Sequence, residues 1–230
     1  PVKDDIFSRM PVTIALTIGA AVIWLLIGIP IGIISAIKRG TLIDRSAMIF
    51  ALVGVSMPVF WLGLLLLYVF HFWLGWLPTA GLPQGQSVLE SVFQGYFVLP
   101  WFSLAITSAA FYSRMTRGNL METMAEDYIR TARSKGLPER TVIYRHGLRA
   151  ALTPIVTMFG MDVAFLLGGA VITESVFQLP GLGQYALKSL YAADFPAVMG
   201  VTMLATFFIV VANFFVDILY AFLDPRVRYT

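Results

Sequence analysis

Five long stretches that are almost free of charged residues limit what this chain can fold into. They cover residues 12–37, 46–72, 91–113, 150–173 and 197–223. A helix that crosses the hydrocarbon core of a membrane needs about 20 apolar residues, so each stretch is long enough to span it. Only 13% of the 230 residues are charged, against about 25% in soluble domains. The sequence therefore predicts an integral membrane protein.

We interpret all five stretches as helices of one all-α transmembrane domain over residues 1–230. The strands of a membrane barrel are about ten residues long and alternate in polarity, which none of these stretches does. The first stretch is also too long for a secretory signal peptide and lacks a small-residue cleavage site.

The basic residues predict the orientation of the chain, because Lys and Arg beside membrane helices stay on the cytoplasmic side. Residues 38–45, 114–149 and 224–230 hold 13 of the 16 basic residues, so we expect these segments and the C-terminus to be cytoplasmic. Residue 1 would then lie outside, and we expect a further N-terminal helix that is missing from this sequence. Basic residues that flank membrane helices give no reason to expect nucleic-acid binding.

The segment 114–149 is far longer than the about 2 to 8 residues that usually join two helices. Within it, Met124, Tyr128, Ile129 and Ala132 recur at spacings of three and four residues. This pattern predicts an amphipathic helix that begins near residue 121.

Two residues predict a bend after this helix. Gly136 readily takes the left-handed conformation that ends a helix, and Pro138 suits the start of a new one, with Glu139 at its positive end. A helix of about ten residues is marginal alone in water. We therefore expect Tyr128, Ile129 and Leu137 to dock in a groove of a partner protein, with the lipid headgroups as the alternative surface.

The residues around this bend also carry a resemblance to a known family. They are Glu126, Asp127, Tyr128, Ile129, Arg130, Thr131, Ala132, Arg133, Ser134, Lys135, Gly136 and Leu137, followed by residues 145–154. This run resembles the permease subunits of bacterial and archaeal binding-protein-dependent ABC importers, in the dipeptide, oligopeptide and nickel group. The wider class has Glu-Ala-Ala where this chain has Arg130-Thr131-Ala132, and the peptide group tolerates that difference.

The resemblance implies a type I, MetI-like permease with six membrane helices, of which this chain contains five. It implies that residues 126–137 form the coupling helix that docks in a separate ATPase subunit. The implied partners are a second homologous permease, two ABC ATPases, an extracytoplasmic substrate-binding protein and the lipid of the inner membrane. The chain has no Gly-x-x-x-x-Gly-Lys-Ser/Thr loop, so we expect ATP and Mg²⁺ on the ATPases, no cofactor on this chain and no enzymatic activity.

A few residues inside the predicted helices are candidates for the substrate path. Asp162 lies near the middle of its helix, where a charge is costly unless it faces protein or water. It is a candidate for the translocation path together with Ser56 and Met57, and a hydrogen bond between helices is the alternative for Asp162. Asp217 lies near a helix end, and we interpret it as an interface residue.

Two other classes of protein remain open at this point. A secondary transporter or channel usually carries several ionisable groups inside the membrane or an internal repeat, and this sequence shows one deep aspartate and no clear repeat. An intramembrane enzyme needs a catalytic pair, and no motif for one is present. The cargo is open among dipeptides, oligopeptides, nickel chelates, glutathione and oligosaccharides, with peptide as the expectation.

Overall fold

The described part of the chain is built from helices joined mostly by short turns, with a longer irregular segment at residues 74–87. The computed structural model describes the backbone of residues 1–223 and the side chains of residues 1–216 and 218. The helices are α1 (Val2–Ile37), α2 (Leu42–Ser56), α3 (Val59–Leu66), α4 (Val88–Phe93), α5 (Val98–Thr123), α6 (Asp127–Ser134), α7 (Glu139–Thr141), α8 (Leu148–Leu167), α9 (Val171–Val176), α10 (Leu182–Tyr191) and α11 (Phe195–Leu223). Two π-helical segments follow α3 and α7, at Leu67–Trp73 and Val142–Gly147.

Three helices in the described residues are long and apolar enough to cross a membrane, namely Val2–Ile37, Glu139–Leu167 and Phe195–Val216. A fourth is added if the interrupted pair Leu42–Ser56 and Val59–Trp73 counts as one span. The predicted all-α membrane fold is confirmed. The count of five spans stays a prediction.

The helix predicted over residues 46–72 is interrupted after Ser56. Pro58 has an extended backbone (φ −63°, ψ 133°) and precedes the first residue of α3. Proline has no N–H for the helical ladder and disfavours helical geometry in the residue before it, here Met57. The Ser-Met-Pro sequence therefore divides the stretch into two helices.

The helix predicted over residues 150–173 ends earlier, at Leu167. Gly169 follows with φ +121°, and a Cβ atom there would overlap the backbone of Gly183. Only glycine permits this approach and this conformation. The chain resumes as the short helix α9.

The chain divides into two compact units. Among the described residues, unit 1 comprises Pro1–Ile23, Met57–Thr107 and Met161–Phe214, and unit 2 comprises Trp24–Ser56, Ser108–Gly160 and residues 215–223. The main core of unit 1 gathers buried side chains from α1, α5 and the segment around α9, among them Leu16, Phe97, Phe177 and Leu179. The indole N–H of Trp101 donates to the Ala15 carbonyl over 2.9 Å and joins α5 to α1 within this unit.

The core of unit 2 depends on close contact between α1 and α5. A Cβ atom at Gly28 would lie 2.8 Å from the Ala109 carbonyl oxygen, and one at Gly32 would lie 2.5 Å from that of Ser113. The Gly-x-x-x-Gly spacing therefore lets the two backbones approach, as small residues do in membrane helices. The buried indole of Trp24 packs beside this contact.

The surface of α11 is apolar rather than polar. Met203, Phe207 and Val210 are 71%, 59% and 61% exposed. A monomeric soluble protein rarely exposes a continuous apolar surface of this kind, whereas lipid is a suitable solvent for it. The exposed side chains therefore agree with the composition in indicating a membrane helix.

The contact between α1 and α5 yields a prediction about stability. Gly32→Ala forces a methyl group against the backbone of α5, and overpacking of this kind costs about 1 to 3 kcal/mol. Gly118→Ala on α5 is the matched control, because no atom lies within 4 Å of its added Cβ; alanine there gains up to about 1 kcal/mol of helix propensity. Thermal unfolding of the purified variants in lipid nanodiscs measures both. Equal melting temperatures for the two variants would contradict the close contact.

Candidate coupling site

The candidate site is the segment between α5 and α8, and its first helix is shorter than the sequence predicted. The periodicity predicted one helix from about residue 121, but α5 ends at Thr123 and α6 begins at Asp127. Between them, the Glu126 N–H donates to the Thr123 carbonyl over 3.2 Å in a tight turn. The predicted start was wrong because Met124 of the turn packs against the same buried cluster as Ile129 of α6. The apolar spacing therefore continues across the turn and does not reveal it.

The predicted bend at Gly136 is confirmed. Gly136 has φ +73°, in the left-handed region that glycine adopts without strain. Its N–H donates to the Arg133 carbonyl over 2.9 Å, and the Lys135 N–H donates to that of Thr131 over 3.1 Å. No atom lies within 4 Å of a Cβ built at Gly136. Glycine is therefore favoured here by the backbone conformation and not by a lack of space for a side chain.

The apolar face of α6 packs against this chain itself. Ile129 is 0% exposed and forms a buried cluster with Ala132 and with Val142 of the following π-helical segment, with Met124 packed against it. Fully burying a side chain such as Ile129 contributes about 1.5 to 3 kcal/mol, which helps to order this eight-residue helix. Ile129 is covered by its own chain, so Tyr128 and Leu137 remain as the exposed residues of the three that were expected to dock in a partner groove.

The bend is exposed, and so is the face of α6 that lies opposite Ile129 and Ala132. Tyr128 is 43% exposed and Leu137 is 37% exposed. Apart from Ile129 and Ala132, every residue of the run Glu126–Leu137 is exposed. The predicted coupling residues thus divide into two that hold the helix in place and ten that are available to another molecule.

An ion pair joins the two sides of the bend. Arg133 on α6 donates to Glu139 through Nη2 at 2.7 Å and through Nε at 3.1 Å. Both side chains are about half exposed, and such pairs contribute little to stability. The bidentate geometry nevertheless fixes the angle between α6 and the helix that begins at Glu139, which continues through Leu167.

A cavity of about 410 Å³ opens between the C-terminal ends of α1 and α5 and the coupling segment. Arg39, Met121, Met124, Arg133 and Glu139 are among the residues that line it. The mixture of apolar and charged side chains is typical of a surface at the boundary between membrane and water.

Sequence reasoning missed a buried ion pair near this site. Asp44, at the start of α2, is 4% exposed and accepts from Arg117 of α5 through Nε at 2.7 Å and Nη2 at 3.0 Å. Ser35 Oγ also donates to it over 2.6 Å, and the Gly40 N–H over 2.8 Å. Asp44 and Arg117 are 73 residues apart in the chain, so their pairing left no signal in the sequence.

The candidates for the translocation path lie in different parts of the chain. Ser56 is exposed at the end of α2, and its hydroxyl donates to the Leu52 carbonyl over 2.8 Å. Met57 is half-buried in the break before α3, and Asp162 is half-buried in α8. Their role in a path stays a prediction. The Asp217 side chain and residues 224–230 lie outside the described residues.

A second buried carboxyl group, Glu174, lies in unit 1. It is 0% exposed. Its Oε1 accepts from the Thr13 hydroxyl at 2.9 Å and from the Ala170 N–H at 3.3 Å, and its Oε2 accepts from the Gln184 N–H at 2.8 Å. Thr13 in turn accepts from the Leu182 N–H at 2.9 Å. Burial raises the pKa of Glu174, and the hydrogen bonds to its ionised form only partly oppose that rise.

Comparison with known proteins identifies this helical membrane protein as a permease component of a binding-protein-dependent importer. Residues 28–229 match the family described as "binding-protein-dependent transport system inner membrane component". The chain belongs to this family and is a multi-pass protein of the inner membrane.

Three relatives are similar over the whole chain. The dipeptide transport system permease protein DppB of Alkalihalophilus pseudofirmus and the oligopeptide transport system permease protein AppB of Bacillus subtilis are each 38% identical, with 74% and 73% of their lengths covered. The glutathione transport system permease protein GsiC of Escherichia coli is 41% identical, with 72% of its length covered.

Two solved structures share the fold. A chain of the MetNI methionine ABC transporter in an inward-facing conformation superposes with a TM-score of 0.74 at 19% identity, covering 95% of this chain and 96% of that one. A chain of an amino acid ABC transporter superposes with a TM-score of 0.70 at 19% identity, covering 94% and 93%. At this identity the likeness concerns the fold alone.

The buried Glu174 yields a prediction about pH. Because its pKa is raised in the folded protein, folding favours the protonated form. We expect this contribution to stability to be complete below the ordinary glutamate pKa of about 4.3 and to be lost as pH rises through the raised pKa. The melting temperature should therefore fall over that window.

Glu174→Gln removes the titrating group and should remove this fall in melting temperature. It should also lower stability at every pH by about 1 to 3 kcal/mol, because one backbone N–H loses its acceptor. Glu122→Gln is the matched control, because the same substitution at this exposed position should change stability by less than about 0.5 kcal/mol. A Glu174→Gln profile parallel to that of wild type would overturn the assignment.

Proposed function

We propose that this permease moves short peptides, or a related small solute, inward across the cytoplasmic membrane and is driven by separate ATPase subunits that contact α6. The observation that carries the proposal is the division of α6 into a buried face and an exposed face. Ile129 and Ala132 fix the helix to its own chain, while Tyr128, Leu137 and the charged residues remain exposed. A short amphipathic helix held in this way can receive a groove-bearing partner.

The contacts of α6 explain how a displacement would be transmitted. Two ATPase subunits that close on ATP would each push one coupling helix, and packed helices respond by moving as rigid bodies. The Ile129–Val142 contact and the Arg133–Glu139 ion pair connect α6 to the helix Glu139–Leu167. The three-residue turn before α6 connects it to α5.

Names of the relatives support peptide as the cargo class. Dipeptides, oligopeptides and glutathione, which is itself a tripeptide, share amide groups and charged termini. The proposed assembly contains a second homologous permease, two ABC ATPases that bind ATP and Mg²⁺, and an extracytoplasmic substrate-binding protein. Asp162, Ser56 and Met57 are proposed for the path through the permease, and the C-terminus is proposed to be cytoplasmic.

Reconstitution tests the proposal directly. The permease pair, the ATPases and the binding protein are placed in proteoliposomes, and uptake of labelled dipeptide, oligopeptide and glutathione is measured with ATP and with a non-hydrolysable analogue. We expect uptake only with ATP and with all components present. Uptake by this chain alone without nucleotide would instead identify a secondary transporter or a channel.

The bend at Gly136 yields a prediction about coupling. Gly136→Val places a β-branched residue in the left-handed region at a cost of about 1 to 2 kcal/mol, and this shifts the end of α6. We expect normal membrane insertion but strongly reduced uptake. Gly136→Asn is the matched control, because asparagine tolerates this conformation, and it should retain most of the uptake. Full uptake by the valine variant would argue against a role for the bend.

The two faces of α6 yield a prediction about crosslinking. The 230 residues contain no cysteine, so a single-cysteine substitution introduces the only thiol among them. Tyr128→Cys should crosslink to the ATPase with a short bifunctional reagent, whereas Ile129→Cys should react poorly because the site is buried in its own chain. Efficient crosslinking of the ATPase from position 129, or crosslinking of position 128 to lipid alone, would contradict the proposed docking face.

A further inference from the structure

Asp44 forms a saturated hydrogen-bond centre where four parts of unit 2 meet. Oδ1 accepts from Ser35 near the end of α1 and from Arg117 Nε on α5, while Oδ2 accepts from the Gly40 N–H of the turn and from Arg117 Nη2. One carboxylate thus joins the end of α1, the turn between α1 and α2, the first turn of α2, and α5.

The hydrogen bonds of this centre restrict the relative position of α2 and α5 more than they stabilise the fold. A buried ion pair is weak evidence for stability, since desolvation offsets most of the attraction. A bidentate guanidinium–carboxylate pair is directional and fixes the register of the two elements that carry it. The nearby apolar contacts of Ile33, Leu120 and Ala151 are non-directional. They hold the helices together without setting one register.

The position of the pair relates it to the coupling segment. Arg117 lies six residues before the end of α5 at Thr123, which is about 9 Å along the helix axis. The turn to α6 follows at once. The cavity beside Arg39 and Arg133 lies between the end of α1 and α6. A displacement of α6 that is passed to α5 therefore reaches the turn between α1 and α2 through the Asp44–Arg117 pair.

We propose that Arg117 and Asp44 are a positioning pair that transmits displacement of the coupling helix from α5 to the turn between α1 and α2. The inference rests on the proposed function, because it presumes that α6 is moved by an ATPase. Breaking the pair would remove the directional bonds between α5 and the start of α2. ATP would then be hydrolysed with less solute moved per cycle, while assembly and nucleotide hydrolysis continue.

The test measures uptake per ATP hydrolysed by the complete transporter in proteoliposomes. Asp44→Asn keeps the shape of the side chain but removes the charge, and we expect uptake per ATP to fall about fivefold or more, the usual size of a coupling effect. Arg117→Lys keeps the charge but loses the bidentate fork and should lower the same ratio. Gly118→Ala is the matched control. It changes the residue beside Arg117 on α5, where no atom lies within 4 Å of an added Cβ, leaves the hydrogen-bond centre intact, and should keep the wild-type ratio.

A double variant tests whether Asp44 and Arg117 act through each other or independently. If the two residues act only through each other, Asp44→Asn with Arg117→Gln should lower the ratio no further than Asp44→Asn alone. An unchanged ratio in both single variants would overturn the inference. So would an equal loss of uptake and hydrolysis, since that is the result of a purely structural role. If Asp44→Asn fails to assemble, Arg117→Lys alone decides by the same criteria.

Failure of the proposed function gives a different result. It would appear as a wild-type transporter whose uptake does not depend on nucleotide at all. The positioning inference fails only when the wild type couples uptake to hydrolysis and the variants couple equally well.

Discussion

The approach of α1 and α5 is possible because glycine stands at positions 28 and 32, and the rest of unit 2 is arranged around this contact. In lipid, apolar side chains gain little from leaving their solvent, so helices associate through close van der Waals packing and hydrogen bonds. The two glycines supply the packing. Near the end of α5, Arg117 forms directional bonds to Asp44 of α2, which also accepts from Ser35 of α1. The glycine contact thus brings α1 and α5 together, and the Asp44–Arg117 pair sets how far α5 is shifted along its neighbours.

The coupling segment follows the same logic on a smaller scale. An eight-residue helix is too short to be stable by itself, yet Ile129 and Ala132 on the inner face of α6 help to order it, and the Arg133–Glu139 pair orients it across the bend. This arrangement leaves the other face available. A segment that is rigid before it meets a partner loses less conformational entropy on binding and transmits a push without first having to fold.

Much of the fold and part of the site follow from local pattern. Long uncharged stretches predict helices in a membrane because backbone polar groups in lipid must be satisfied within the segment. The left-handed conformation at Gly136 was predictable because few other residues adopt it. Periodicity also predicted an apolar face on α6, but it could not tell what covers that face. Ile129 was expected to meet a partner, and the chain's own Val142 covers it instead.

The sequence by itself determined the class of the protein, its helical architecture and the place of its bend, because these depend on properties of neighbouring residues. Only the tertiary structure decided which distant groups pair. Asp44 meets Arg117 across 73 residues and Glu174 meets Thr13 across 161, and a polar side chain in the sequence carries no record of its partner. A buried carboxyl group must be paired or protonated, but which of these applies depends on the groups that folding brings beside it.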